Sequence, residues 1–415
     1  MSSLQPVRGT YDILPEDMPR HRFVEQTARN VSALYGFGEI ATPIFEQTQV
    51  FARTLGETSD IVTKEMYTFE TKGGDMITLR PEGTAGVARA FISNGLTQKL
   101  PMKVFYKGPM FRYERPQKGR QRQFHQVGVE LLGVEDVLAD IEVIAMGAHI
   151  LEELGLKGKY KLELNTLGDT ESREAYRQVL VEYFSAHKDK LSEDSIARLE
   201  RNPLRILDSK DEGDRQVVAD APLLHDSLND ASREFFANLR KGLEDFGVEY
   251  DVSPRLVRGL DYYCHTAFEF TTTELGAQGA ILAGGRYDGL IKQMGGPQTS
   301  GIGWAAGVER LSMMIDDAKI EGTRPIVIVP VGDEAKAVAA TLANDLRRAG
   351  LTVDLGYSGN MGKRLKRANK ANASIAVLLG EDELAKKVAT VRDLDSGDQT
   401  EVPLSALADH LMAQG

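Results

Sequence analysis

Alternation of apolar and polar positions is clearest in residues 107–133, KGPMFRYERPQKGRQRQFHQVGVELLG, which predict two strands joined by a loop. Alternating side chains put Arg112 and Glu114 on one face of the first strand and Phe111 and Tyr113 on the other. On the return strand, Gln126, Gly128 and Glu130 share a face opposite Val127, Val129 and Leu131. One side is apolar; the other carries a cation, an amide and carboxylates. An ordinary hairpin would turn such a face to water.

The rest of the chain follows the same two periods. Phe23, Val24, Thr27, Val31 and Leu34 fall at helical spacing over 20–34, and the glycines at 36 and 38 stop the helix. A strand at 39–41 then runs into Pro43, which places it at a sheet edge or an interface. Residues 66–69 and 76–79 predict a hairpin around Gly73-Gly74, and a helix follows over 85–94. Glu82 and Thr84 sit at that strand-to-helix junction, where Thr84 has helix capping as its structural role and ligand binding as its functional one.

An amphipathic helix is expected over 140–154 and a strand over 159–165. Residues 170–246 then read as almost continuous helix, an inserted module that interrupts the sheet. Strand character resumes at Tyr250 and continues through Phe270, and 301–310 is expected to run on as a helix to about Ala318. Gly301, Gly303 and Ala306 match a dinucleotide fingerprint, so a nicotinamide-dependent oxidoreductase is one alternative. The turn residues GGPQTS stand where that motif needs a strand, which argues against it. Beyond a linker at 321–325, strands at 326–331, 352–355 and 374–379 alternate with helices at 333–349 and 363–370. A hairpin at 396–397 and a last helix complete a small α/β domain.

Length and charge narrow this picture. With 415 residues the chain is long enough for two or three domains. Lys and Arg number 50 against 61 Asp and Glu, a net charge of −11, so any polyanion must be met by local patches. Two such patches exist. Residues 115–122 carry Arg115, Lys118, Arg120 and Arg122 without an acid, and 363–370 carry Lys363, Arg364, Lys366, Arg367 and Lys370. The single cysteine, Cys264, excludes a disulfide framework and a Cys-rich zinc site. No signal peptide or long apolar run stands out, so a soluble, cytoplasmic protein without membrane attachment is expected. His125 lies on the face opposite Gln126 and Glu130 and reads as structural, as does Cys264 beside Tyr263. His265 has no metal-ligand partner at useful spacing.

In this order, the pieces resemble the class II aminoacyl-tRNA synthetases, and within them the bacterial histidyl-tRNA synthetase family. FRYE at 111–114 is similar to the second class signature, and 301–310 with its final Glu-Arg to the third. The helix before Tyr35 with the Pro43 strand is similar to the first. RGLDYY at 258–263 and GGRYDG at 284–289 are the histidine-specific segments. The likeness spans essentially the whole chain. It implies an antiparallel class II catalytic sheet flanked by helices, in the α/β class, with a helical insertion and a C-terminal α/β anticodon-binding domain. The corresponding segments are 1–168 and 248–320 for the catalytic domain, 169–247 for the insertion and 326–415 for the last domain.

The resemblance also implies roles. Arg112, Glu114 and Arg310 would bind ATP; Arg258, Arg112 and Arg310 would be catalytic, Arg258 nearest the reacting phosphate and the histidine carboxylate. Glu82, Thr84 and Gln126 would receive the α-amino group of L-histidine. Glu130 and Tyr263 would take its imidazole, with Tyr262 and Tyr287 completing the pocket. Arg115, Lys118, Arg120 and Arg122 would reach the acceptor end of the histidine tRNA, and Lys363, Arg364 and Arg367 its anticodon. Mg²⁺ would come with the ATP, no metal would be held by the protein alone, and the class is homodimeric. The rival within the same fold is a non-catalytic, histidine-sensing regulatory subunit of histidine biosynthesis. Such proteins typically lack the last domain and have degraded signatures, whereas Arg112, Arg258, Arg310 and residues 326–415 are all present here.

Overall fold

The computed structural model describes residues 4–54, 61–209, 211–257, 262–276, 279–320 and 324–414. Among these residues sixteen strands, β1 to β16, form three sheets. In chain order the strands outside the C-terminal part are β1 Gly38–Glu39, β2 Phe45–Gln47, β3 Tyr67–Glu70, β4 Met76–Leu79, β5 Met102–Phe111 and β6 Gln123–Leu132. β7 Lys161–Thr166, β8 Asp251–Val252, β9 Cys264–Thr271, β10 Ala280–Arg286 and β11 Gly301–Gly307 follow. Eight of them make the main sheet, ordered β1-β5-β6-β11-β10-β9-β7-β8, while β2, β4 and β3 form a small separate one. Its inner pairs are antiparallel; only β1 on β5 and β7 on β8, at the two ends, are parallel.

The main sheet is covered on both faces. Val127, Val129, Leu131, Ile302, Trp304, Phe268 and Phe270 enter one core with the helix Leu138–Glu153. On the other side Tyr106, Met110, Tyr262, Tyr263 and Tyr287 pack with Ala85, Val87, Ala88 and Phe91 of the helix Thr84–Ser93. The pleat explains the division, because alternate residues of β6 and β11 must point to opposite faces. The helix Leu138–Glu153 departs from the amphipathic expectation. It is buried nearly all round, between the sheet and the helix Asp230–Asp245, whose Phe236, Leu239 and Leu243 join the same core.

Residues 170–246 are helical as the spacing predicts, in four α-helices separated by short 3₁₀ turns. Their own apolar core runs only from Tyr176 to Leu228. The last helix of the stretch belongs to the main core. Gly301–Gly307 corrects a further expectation: it is a central strand, and the helix after it spans only Val308–Ser312. Its small residues lie in a β-ladder with β6 and β10.

Residues 1–320 form one compact unit and 321–415 another. In the second, β12 Ile326–Pro330, β13 Val353–Leu355, β14 Ile375–Leu379, β15 Val388–Asp393 and β16 Gln399–Pro403 are ordered β13-β12-β14-β15-β16. The first three are parallel and the last two antiparallel. The helix Asp333–Arg348 packs Ala335, Ala339, Ala343 and Leu346 on one face of this sheet, and the helix Met361–Lys370 packs Ala368 on the other. The short helix Glu381–Lys386 had no counterpart in the sequence reading.

Candidate active site

The polar face of β6 does not meet water. It closes one end of a cavity of about 350 Å³ lined by Glu82, Thr84, Arg112, Glu114, Gln126, Tyr263 and Arg310, among others. Behind the lining residue Thr84, Glu130 is fully buried, accepting a hydrogen bond from the Thr84 hydroxyl at 2.7 Å and another from the Tyr287 hydroxyl. Glycines make this possible. Gly303 pairs opposite Glu130 across the ladder, and a Cβ there would collide with the carboxylate; one at Gly301 would collide with the Tyr287 ring. The small residues of β11 thus clear space for a carboxylate and a phenol rather than for a pyrophosphate.

Burial pushes the Glu130 carboxyl up to about 8, although the bonds from Tyr287 and Thr84 pull it down. Glu82 is also buried, and burial raises its pKa against opposing hydrogen bonds from the backbone N–H groups of Ala85 and Thr84, at 2.9 and 2.6 Å. The junction therefore assigns the helix-end role to Glu82, whose carboxylate meets the exposed N–H groups, and leaves the Thr84 hydroxyl to Glu130. Gln126 adds an acceptor: its buried Oε1 has no hydrogen-bond partner among the described residues. Tyr262 and Tyr263 line the cavity with their rings tilted 4.6 Å apart, and Tyr287 meets Tyr262 edge-on at 5.7 Å.

The other end is cationic. Arg112 donates from Nε to the Pro81 carbonyl at 2.9 Å and lies over the Phe124 ring. Arg310 donates to the carbonyls of Gly119, at 3.1 Å, and Ala280. Burial lowers the Arg310 pKa, and Arg120 and Arg112 lower it further, which records how closely three guanidinium groups gather. Glu114 sits among them, 2.9 Å from Arg120. Carbonyl bonds fix both arginines in the cavity wall, where planar guanidinium donors suit phosphate oxygens.

Two clusters were not assigned in the sequence. Arg286 is fully buried, bonded to Asp140, to Asp288 at 3.1 Å and to the Val134 carbonyl at 3.0 Å, with Phe235 beneath it. Asp288 in turn accepts from the Gly301 backbone N–H, and the Tyr287 N–H donates to the Gly301 carbonyl at 2.7 Å. Arg286 is therefore the anchor of the turn that carries Tyr287; the signal in sequence was a lone cation ending an apolar, glycine-rich strand. In the second cluster Glu309 accepts from both the backbone N–H and the ring of His125, at 2.9 and 2.8 Å, with His21 against the His125 ring. These three groups approach metal-binding distances. The carboxylate is already taken by His125, whose pKa it raises, so the trio reads as an ion pair tying β6 to the helix Val308–Ser312. Cys264 accepts a hydrogen bond from the Asp288 N–H, and burial pushes its thiol up to about 12, far from a thiolate nucleophile.

The basic stretches divide on folding. Arg115 and Lys118 are exposed. Arg120 turns back to Glu114 in the cavity wall, and Arg122 stacks on Tyr113 at 3.8 Å and donates to the Glu114 carbonyl. In the C-terminal unit Lys363 and Arg367 are exposed, but Arg364 is buried and donates to the Pro330 carbonyl, which corrects its expected place on a nucleic-acid surface. Its position one residue off the exposed helix face turns it inward. Arg258 lies outside the described residues.

A family model described as Histidyl-tRNA synthetase matches residues 9–311, and one described as Anticodon binding domain matches residues 325–414. The chain belongs to the histidyl-tRNA synthetase family. A histidine–tRNA ligase from Rhodospirillum rubrum is 63% identical over 411 residues, 99% of each chain. Another from Gluconobacter oxydans is 59% identical over 413 residues, covering 100% of this chain and 99% of that one. The crystal structure of apo histidyl-tRNA synthetase from Staphylococcus aureus superposes with a TM-score of 0.83 at 36% identity, covering 98% of this chain and 99% of that one.

Proposed function

We propose that the protein activates L-histidine with ATP, giving histidyl-adenylate and pyrophosphate, and then transfers the histidyl group to the 3′ end of histidine tRNA. The observation that carries this reading is one end of the cavity: the unpartnered amide oxygen of Gln126 shares it with Glu82, Tyr263 and Thr84, and the Thr84 hydroxyl donates to the buried Glu130 behind it. Glu130 and Tyr263 accept and donate to the two imidazole nitrogens. A side chain without them leaves those hydrogen bonds unmade, which disfavours other amino acids. Gln126 and Glu82 receive the α-ammonium group.

Arg112 and Arg310 hold the ATP phosphates at the opposite end. One carboxylate oxygen of histidine attacks the α-phosphorus, its bond to the bridging oxygen breaks, and pyrophosphate leaves. A ribose hydroxyl of the tRNA end then attacks the acyl carbon and AMP departs. The substrates supply both nucleophiles, so alignment and charge stabilisation provide the catalysis, with Arg258 at the reacting phosphate. Mg²⁺ fits as the partner of the nucleotide: Glu114 and Glu269 offer hard oxygen donors on the cavity wall, and the ion would neutralise phosphate charge. The exposed Arg115 and Lys118 meet the acceptor end, and the second unit meets the anticodon. Cytoplasmic location and a homodimer complete the reading. Among the described residues no helix is long and apolar enough to cross a membrane.

Histidine-dependent ATP–pyrophosphate exchange tests it. The full chain should exchange label with L-histidine and not with other amino acids. Tight histidine binding without exchange would instead support a regulatory role.

A further inference from the structure

The strand order of the C-terminal unit marks a second place suited to a ligand. β13 and β14 lie parallel to β12 on either side of it. The helix after β12 packs against Ile326 and Ile328 on one face of the sheet, and the helix after β13 against Val327 and Val329 on the other. The loops leaving β12 and β13 therefore part to opposite faces at the carboxyl ends of the strands, the position where open α/β sheets form binding crevices. Its base is braced: Gly356 N–H donates to the Ile328 carbonyl at 2.9 Å, and the buried Arg364 guanidinium to the Pro330 carbonyl.

What this end presents is unusual for a solvated loop. Val331, Tyr357 and Met361 are 43%, 72% and 48% exposed, and these three large apolar side chains are carried by the two parting loops and the first turn of the following helix. Lys363, Lys366, Arg367 and Lys370 are exposed on that helix. Asp333 and Glu334 follow Val331 at this end, so the cationic side is that of the helix Met361–Lys370, whose exposed charges include no acid. An exposed aromatic ring beside such a helix is the combination that binds single-stranded nucleic acid: bases stack on the ring and phosphates follow the charges. A purely electrostatic surface would need no exposed ring. An apolar protein partner would gain nothing from the cations.

We propose that Tyr357 is a stacking platform for an unpaired base of the tRNA anticodon loop, with Val331 and Met361 lining its edge and Lys363 and Arg367 holding the flanking phosphates. This rests on the reading of the second unit as the anticodon-binding one and adds the residue that contacts a base. Stacking is sequence-tolerant, so Tyr357 contributes affinity and positions the loop, while base identity is read by its neighbours.

The test is binding of the full-length protein to a labelled histidine tRNA transcript over a range of salt concentrations, with ATP–pyrophosphate exchange measured alongside. Tyr357→Ala should weaken binding roughly tenfold. It should leave the slope of log affinity against log salt unchanged, and Tyr357→Phe should restore affinity. Lys363→Ala with Arg367→Ala should instead flatten the slope by roughly 0.7 per lost phosphate contact. Exchange should be unchanged in all three, because the reaction of the first step involves no tRNA. Wild-type affinity in Tyr357→Ala, or equal losses in the Ala and Phe variants, would overturn the platform. Absence of transcript binding by the wild-type protein would instead overturn the anticodon reading on which it rests.

Discussion

The cavity of the first unit and the crevice end of the second use charge in opposite ways. At the cavity Glu82 is buried, as is Glu130 behind Thr84, each held by hydrogen bonds from its own chain, and Arg112 and Arg310 are fixed by carbonyls. In the second unit Lys363, Lys366 and Arg367 stand in solvent, and Arg364, which folds inward, braces the frame. Charges removed from water discriminate strongly, because an imperfect ligand leaves them unpaired. Exposed charges attract any polyanion and are screened by salt. The first arrangement suits a small zwitterion and a nucleotide, the second a large RNA.

Variants can sharpen this contrast, beginning with the strongest effect. Arg286→Met leaves Asp140 buried without its cation, and the first unit should lose roughly 3–5 kcal/mol. Trp304, the single tryptophan, is buried in that unit, so urea unfolding followed by its fluorescence reads the loss directly. Adding Asp140→Leu should recover part of it; no change in the single variant would show that the buried pair is dispensable. Next, Arg310→Ala should lower exchange by about 10²- to 10³-fold with transcript affinity little altered.

Glu130→Gln should raise the KM for histidine roughly 10- to 100-fold, the worth of a hydrogen bond to a charged group. The same variant has a pH signature. Burial raises the folded pKa of Glu130 from 4.5 to about 8, so the carboxyl is protonated in the folded apo protein and ionised in the unfolded one between those values. Its stabilising contribution is fully present below 4.5 and is lost as pH rises through about 8, at up to ~1.4 kcal/mol per pH unit. Unfolding measured against pH should therefore be flatter in Glu130→Gln than in the wild type. Parallel curves would place the Glu130 pKa near that of an ordinary carboxyl.

Much of this was legible in the chain before folding. The 2.0-residue period of β6 separated Gln126 and Glu130 from Val127 and Val129, and the β-α-β spacing of the last unit was clear. Gly301–Gly307 was misread because small residues carry no periodic signal; their purpose, space for Glu130 and Tyr287, lies on other strands. The helix Leu138–Glu153 looked amphipathic because Asp140 and Glu142 break its apolar run, yet Asp140 is buried as the partner of Arg286. Pairings across 146 residues of sequence leave no local trace. Arg364 failed for a related reason: charge density along a helix says nothing about which face is covered.

The division of labour between the two units is tested most directly by measuring two reactions on one preparation of a Lys363→Glu, Arg367→Glu variant. Histidine-dependent ATP–pyrophosphate exchange should equal that of the wild type, while charging at limiting tRNA should fall about tenfold or more. Loss of exchange in parallel with charging would contradict the account, as would charging that remains at the wild-type rate.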